Sequence, residues 1–421
     1  MIVGAEQLRD GRPSAGADPQ STALILGRAL HAPWNEGTRV INRNFAQAAR
    51  ALRPVRVISL THVSFRAPSN TDPGQDLAIQ HVYSRGGYGL HGVYVGLPAV
   101  LQHLGARGNA HRVGVAHLFG MPLSLAPWFQ RHGIRVVDHV MVRPLELRDR
   151  VLVRASTRLW GRFVDAFAVS SHTLIPLLTA WGVPESKLFV LPSAVDGSVF
   201  RLGDRDAARK QLGLGSDRPL IVYIGRLSPR RFPARIVREA LQMAALSSSQ
   251  PLHFVALTPG QTFDGSANSA NYLLECANVV KQDLRNLPGV SVDVRMHNLE
   301  DADKLAWLRA ADAVLLPFVA PEAVEPPITL LEAMACGATI VTSPDANRSG
   351  LIQSGVNGYV YHSSDEFARM LSNAVSDSRG HLGMGDAARR TVLAHRSFEA
   401  VAEATSRLWQ QVEHSVRVGQ A

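Results

Sequence analysis

AVEPPITLLEAMACGATIVTS, residues 323–343, carries two prolines, one glycine and two carboxylates in an otherwise uncharged run. Pro326 and Pro327 suit the start of a helix, where a missing N–H is no loss. Ile328, Leu331, Met334 and Ala335 recur at helical spacing, so one face is buried. Gly337 supplies the stop, and ATIV after it reads as a buried strand. Loop, short helix and strand make one unit of an α/β layer. Glu325 lies in the loop and Glu332 in the helix. A helix N-terminus offers free N–H groups and a positive dipole end, which makes it an anion site. Acids beside an anion site fit a ligand that brings hydroxyls with its phosphates, as a phosphorylated sugar does. Read alone, they are equally a capping acid and a surface acid.

The same alternation runs outward in both directions. Upstream, TALILGRAL (22–30), VRVISL (55–60), HRVGVAHLF (111–119), IRVVDHVMV (134–142) and DAFAVSS (165–171) read as strands. RVINRNFAQAARAL (39–52) and RDRVLVRASTRLWGRFV (148–164) read as helices between them. A second run holds RPLIVYIGRLS (218–228), LHFVALTPG (252–260), VSVDVRMHNL (290–299) and ADAVLLPFV (311–319). Strands and helices alternating at these lengths mean doubly wound parallel sheets. KLFVLPSAVDGSVFR (187–201) breaks the rhythm. The expected division is a disordered tail at 1–20 and Rossmann-like domains at 21–195 and 196–395. A closing helix, 396–421, packs back toward the first domain. Ligands of such sheets bind at the carboxyl ends of the strands, here facing an interdomain cleft.

The 421 residues carry 44 basic and 35 acidic side chains, a formal charge of +9. Only Lys187, Lys210, Lys281 and Lys304 are lysines; the other bases are arginines. A basic chain is compatible with nucleic acid, anionic membrane or phosphorylated ligands and selects none of them. Cys276 and Cys336 make neither a disulfide framework nor a metal cluster, and fit a reducing cytoplasm. No apolar run reaches the roughly 18 residues of a spanning helix, and the charged first 20 residues are no signal peptide.

IVYIGRLSPRRF (221–232) sets Arg226 at the end of a buried strand and Arg231 five residues on, where guanidinium groups clamp a diphosphate bidentately. Taken alone it is also a solvated turn. GRLSPRR, ADAVLLPF, VEPPITLLEAMACGATIV and LIQSGVNGYVY follow one another in this order, after LFVLPSAVDGSVF upstream. The series resembles the donor-binding half of retaining GT-B glycosyltransferases of the family 4, or group 1, type. The resemblance covers about residues 160–410. It implies an α/β GT-B fold of two doubly wound Rossmann-like domains facing a cleft, and metal-independent transfer of a sugar from a nucleotide-sugar to a hydroxyl. The acceptor would be a glycan, a lipid-linked carrier or a small metabolite.

By this resemblance Glu332 hydrogen-bonds the ribose hydroxyls, and an ionised carboxylate, acceptor-only, suits a diol. Glu325 stands at the transferred sugar. Gly225 and the amides of Ile328, Thr329 and Leu330 meet the donor, and Arg226 and Arg231 stabilise the leaving diphosphate, a task a metal performs elsewhere. No cofactor and no metal are expected. The family spacing is Glu-x7-Glu and this chain has Glu-x6-Glu, which makes Glu322 a rival to Glu325. Arg231 replaces a lysine, and Ser193-Ala194 replaces Asn-Gly.

In the N-terminal half, Glu36, Gly37 and Arg39 of NEGT-R form the expected acceptor or phosphate loop, with a plain turn as the alternative. His117 and His139 end strands and are candidates for contact with sugar or acceptor, His139 as a catalytic group. A strand-end histidine is also commonly structural. Arg150, Arg154, Arg158 and Arg162 recur every four residues, a stripe that suits an anionic membrane or a solvated face. A degraded GT-B protein that binds a glycan or partner is the alternative function. A dehydrogenase would need G-x-G-x-x-G after its first strand, and nucleic-acid binding lacks any motif here.

Overall fold

The computed structural model describes residues 21–414 except 32–33, 35, 64–76, 86–89, 106–112, 145, 216–217, 261–266, 323 and 377–381. The proposed tail at 1–20 lies outside the described residues.

Two all-parallel sheets carry the fold. The first has seven strands in the order β3 (Ile79–Ser84), β2 (Val55–His62), β1 (Thr22–Arg28), β4 (Val113–Phe119), β5 (Arg135–Val140), β6 (Ala166–Val169) and β7 (Leu188–Val190). The second has six: β10 (Val290–Met296), β9 (Leu252–Thr258), β8 (Leu220–Ile224), β11 (Ala313–Leu316), β12 (Ile340–Thr342) and β13 (Tyr359–Val360). Helices cover both faces, so central strands such as TALILGR and LIVYI are continuous apolar runs rather than alternating ones. Strand order reverses between β1 and β4, and between β8 and β11. Those switch points open at the strands' carboxyl ends, where the loops to the following helices begin.

β3 did not stand out in the sequence. Its IQHVYS pattern has two buried apolar positions, Ile79 and Val82, because it is an edge strand with a half-wet face.

The helices that position the site are α1 (Gly37–Ala49), α9 (Asp301–Ala310) and α10 (Ile328–Ala335). Each begins at a strand's carboxyl end. The last helix, α13 (Phe398–His414), returns to the first sheet and packs on α1. Trp409 Nε1 donates to His117 Nε2 at 2.8 Å, and Arg53 pairs with Glu413 at 2.9 Å while covering the Trp409 ring at 4.0 Å.

Candidate functional site

A cleft of about 1170 Å³, its open mouth included, lies between the two sheets. Gly37 at the start of α1 forms one wall; Gly225, Arg226, Arg231, Ile328, Thr329 and Glu332 form the other. Gly37 is required by closeness: a Cβ there would stand 2.9 Å from Val324 Cγ2 of the facing domain.

The floor carries charges of both signs, Arg226, Arg231 and Lys304 among Glu36, Glu322 and Glu332. Arg231 lines it half-buried, and desolvation holds its guanidinium below the ordinary arginine range. Its Nε donates to the Glu322 carbonyl at 3.1 Å, which fixes the loop after β8 to the loop before α10. Tyr223 Oη donates to the Arg226 carbonyl at 2.5 Å. The first turn of α10 faces the same space, with Ile328 and Thr329 lining it. The Leu330 amide is already bound to the Pro327 carbonyl at 3.0 Å, so the expected trio of anion donors is reduced to Ile328 and Thr329. Two helix N-termini and two arginines thus border the same space, groups of the kind that bind anions.

Glu332 is buried at the same cleft and accepts from Lys304 Nζ at 2.7 Å. Burial raises its carboxyl pKa, and the ammonium of Lys304 opposes that rise. Burial likewise works to lower the Lys304 pKa, but Glu332 and Asp301 outweigh it and hold the lysine above its ordinary value. At 2.7 Å the two groups form an ion pair inside the fold.

Besides Leu330, four expected site residues stand outside the cleft lining. Glu325 is buried outside the cleft lining, turned to the N-terminal domain. It accepts from Thr173 Oγ1 and lies 3.6 Å from Arg143 Nε and 3.8 Å from Arg348 Nε. Its own amide donates to the Met141 carbonyl at 3.0 Å, and Ser170 Oγ donates to its carbonyl at 2.6 Å. The family spacing, counted back from Glu332, falls on Val324, which does line the cleft. The acid at the cleft is the rival, Glu322, which accepts from Ser228 Oγ at 2.9 Å.

His117 and His139 are buried and line no part of the cleft. Indole N–H only donates, so His117 Nε2 is an acceptor and its Nδ1 carries the proton toward His139 Nε2 at 2.8 Å. Burial, with Arg53 nearby, pushes the His117 pKa down to about 3, and burial with His117 depresses His139 as well. His139 stacks on Phe119 at 3.8 Å. Arg39 is also buried off the cleft; it donates to the carbonyls of Ala29 and His31 at 3.1 Å each and so braces the loop after β1. Glu36 does line the cleft and accepts from Thr38 Oγ1.

Sequence reasoning missed Lys304, Trp34, His297 and Phe318, which all line the cleft. Lys304 had one signal: a lysine kept in a chain whose bases are nearly all arginine.

Residues 218–377 match the family model of glycosyl transferases group 1. The chain is 28% identical over 248 residues to the D-inositol 3-phosphate glycosyltransferase of Kribbella flavida, covering 58% of this chain and 54% of that protein. It is 25% identical over 224 residues to a lipopolysaccharide 1,2-N-acetylglucosaminetransferase of Salmonella typhimurium, covering 52% and 56%. The chain spans about half the length of the curated relatives it matches. Its fold is similar to sucrose-phosphate synthase from Thermosynechococcus elongatus, with a TM-score of 0.71 at 15% identity over 94% of this chain and all of that one. It is also similar to Anabaena HepE in complex with UDP and glucose, with a TM-score of 0.66 at 17% identity over 93% and 99%.

Proposed function

We propose, from a chain of the group 1 glycosyltransferase type on a GT-B fold, that it transfers a sugar from a nucleotide-sugar to a hydroxyl with retention and without a metal. One observation carries this: a buried carboxylate, Glu332, shares a cleft with Arg226, Arg231 and the first turn of α10. A nucleoside diphosphate needs that pairing, a diol acceptor beside an anion site. The guanidinium groups and the amides of Ile328 and Thr329 take the charge that develops on the leaving diphosphate. The bond from the anomeric carbon to the phosphate oxygen breaks, and the acceptor oxygen bonds to the same face. The acceptor proton passes to the released phosphate oxygen, so no side-chain base is required, and Glu322 takes the place beside the sugar that Glu325 leaves. The unpaired Cys276 and Cys336 support a reducing compartment, the cytoplasm.

Each nucleotide-sugar of a panel, incubated with the enzyme and candidate acceptors in excess EDTA, is expected to yield nucleoside diphosphate in one case, with the anomeric configuration kept by NMR. Release that requires added metal, or an inverted product, overturns the mechanism. Val324 at the family's glutamate position favours a second reading, a GT-B protein that binds without transferring; donor binding with no release under any acceptor would establish it.

The acceptor side of the proposal is an anionic lipid surface. Helix α4 (Leu147–Trp160) exposes Leu147, Val151 and Leu159 at 76%, 58% and 56%. Arg148, Arg150, Arg154 and Arg158 are exposed on the same helix, which holds one acid, Asp149. The apolar residues and the arginines share the outward side of α4, so the helix offers apolar contact beside basic charge to an anionic surface. α4 starts beside the cleft, since Glu146 lies 3.7 Å from Arg230 and Val142 lines the cleft wall. No helix among the described residues is long and apolar enough to cross a membrane. The chain is expected to sediment with phosphatidylglycerol vesicles and not with phosphatidylcholine vesicles. Retention of that binding in a Leu147→Ser, Val151→Ser, Leu159→Ser variant contradicts the assignment.

A further inference from the structure

Lys304 does more than face Glu332. Its Nζ lies 2.9 Å from Asp301 Oδ1, one turn back on α9. Asp301 Oδ2 in turn lies 2.9 Å from Arg43 Nη2. Arg43 belongs to α1 of the other domain, where it covers the ring of Trp34 at 5.0 Å, and Trp34 lines the cleft. Three ion pairs in series therefore run from Glu332 across the domain boundary. The side chains of Glu332, Lys304 and Arg43 are 2%, 7% and 3% exposed, and Asp301 is 21% exposed.

Two acids and two bases sum to no net charge. A buried ion that loses its partner is strongly disfavoured, so each member holds the charge and direction of the next. With Oε1 taken by Lys304, Oε2 is the oxygen left to Glu332 for a ligand.

We propose that Arg43, Asp301 and Lys304 are positioning residues that set how Glu332 presents its carboxylate to the ribose, and that Arg43 ties this presentation to the N-terminal domain. The inference rests on Glu332 being the ribose ligand. It assigns a donor-site role to residues of both domains, so a nucleotide is read at full strength only when α1 and α9 are in register.

The readout is discrimination between ribose and deoxyribose, which a merely structural role does not move. Binding of UDP, ADP and GDP, each beside its 2′-deoxy form, is measured by calorimetry. The preferred ribonucleotide is expected to bind roughly tenfold more tightly than its deoxy form, the value of one hydrogen bond to a charged acceptor. Arg43→Gln and Asp301→Asn are expected to bring that ratio down at least threefold, and Arg43→Lys to keep it. A high ratio in the wild type that survives both neutral variants overturns the chain and leaves the donor site standing. Equal binding of both sugars by the wild type, or no binding by any of the nucleotides, overturns the Glu332 reading itself. If Arg43→Gln does not fold, Asp301→Asn decides by the same ratio.

Discussion

Glu325 and Glu332, seven residues apart, face different partners. Glu332 is held in the cleft by Lys304, while Glu325 is turned to Thr173, Arg143 and Arg348. Val324 lines the cleft and its successor does not, so the Glu-x6-Glu spacing of this chain keeps the two acids apart. Glu322→Gln is therefore expected to slow sugar transfer by tenfold or more with little loss of stability. Glu325→Gln is expected to lower stability by about 1.5–3 kcal/mol, the range for hydrogen bonds to a charged group. Steady-state rates and urea unfolding of both variants check this; the reverse pattern contradicts it. Lys304→Met leaves Glu332 buried without a counter-charge and is expected to cost about 3–5 kcal/mol. Lys304→Met combined with Glu332→Leu is expected to recover most of that, again by urea unfolding.

His117 makes a prediction about pH. Its folded pKa is about 3 against an ordinary 6.5, so between these values the unfolded chain binds the extra proton. Stability is full above pH 6.5 and is lost as pH falls below it. His117 alone accounts for about 1.4 kcal/mol per pH unit below pH 6. His117→Gln is expected to reduce the slope of stability between pH 6 and pH 5 by that amount. An unchanged slope would mean that the histidine is not buried neutral.

At the scale of elements, the predictive features were prolines, glycines and periodicity. The α10 unit reads directly from PPITLLEAMACG because each residue type there has one local job: start, buried face or stop. The alternation of strands and helices was legible for the same reason. What remained illegible depended on contacts between segments far apart in sequence. Strand β3 is an edge whose half-wet pattern hides it, and the role of Arg39 is set by two carbonyls on the preceding loop. Gly37 was visible as a glycine, but its reason, Val324 across the cleft, is tertiary. Gly37→Val is expected to force α1 away from Val324 and weaken nucleotide binding roughly tenfold, a loss of about 1.4 kcal/mol. Unchanged affinity by calorimetry would show that the two domains do not close on the ligand at this point.

The whole molecule is two sheets joined by buried polar ties. Glu325 fastens the loop before α10 to Met141 and Ser170, Arg43 reaches Asp301, and α13 carries Trp409 to His117. His117 belongs to this fastening, because Trp409 of the closing helix covers it, and His139 is held behind it at 2.8 Å. The donor half was legible since its motifs are local and ordered along the chain. In the N-terminal half the layout, Glu36 and Gly37 were legible, whereas Trp34, a single residue on a loop of the cleft, was not. The central claim concerns one ligand across both halves, a nucleoside diphosphate held by Glu332, Arg226 and Arg231. The direct measurement is the melting temperature of the protein with UDP, ADP and GDP, repeated with Glu332→Ala. A ligand that binds only the folded state stabilises it by about 2.7 kcal/mol at a hundredfold excess over Kd. The account predicts a clear rise with one nucleotide in the wild type and its loss in Glu332→Ala. No rise with any of the three, or an equal rise in both proteins, would contradict it.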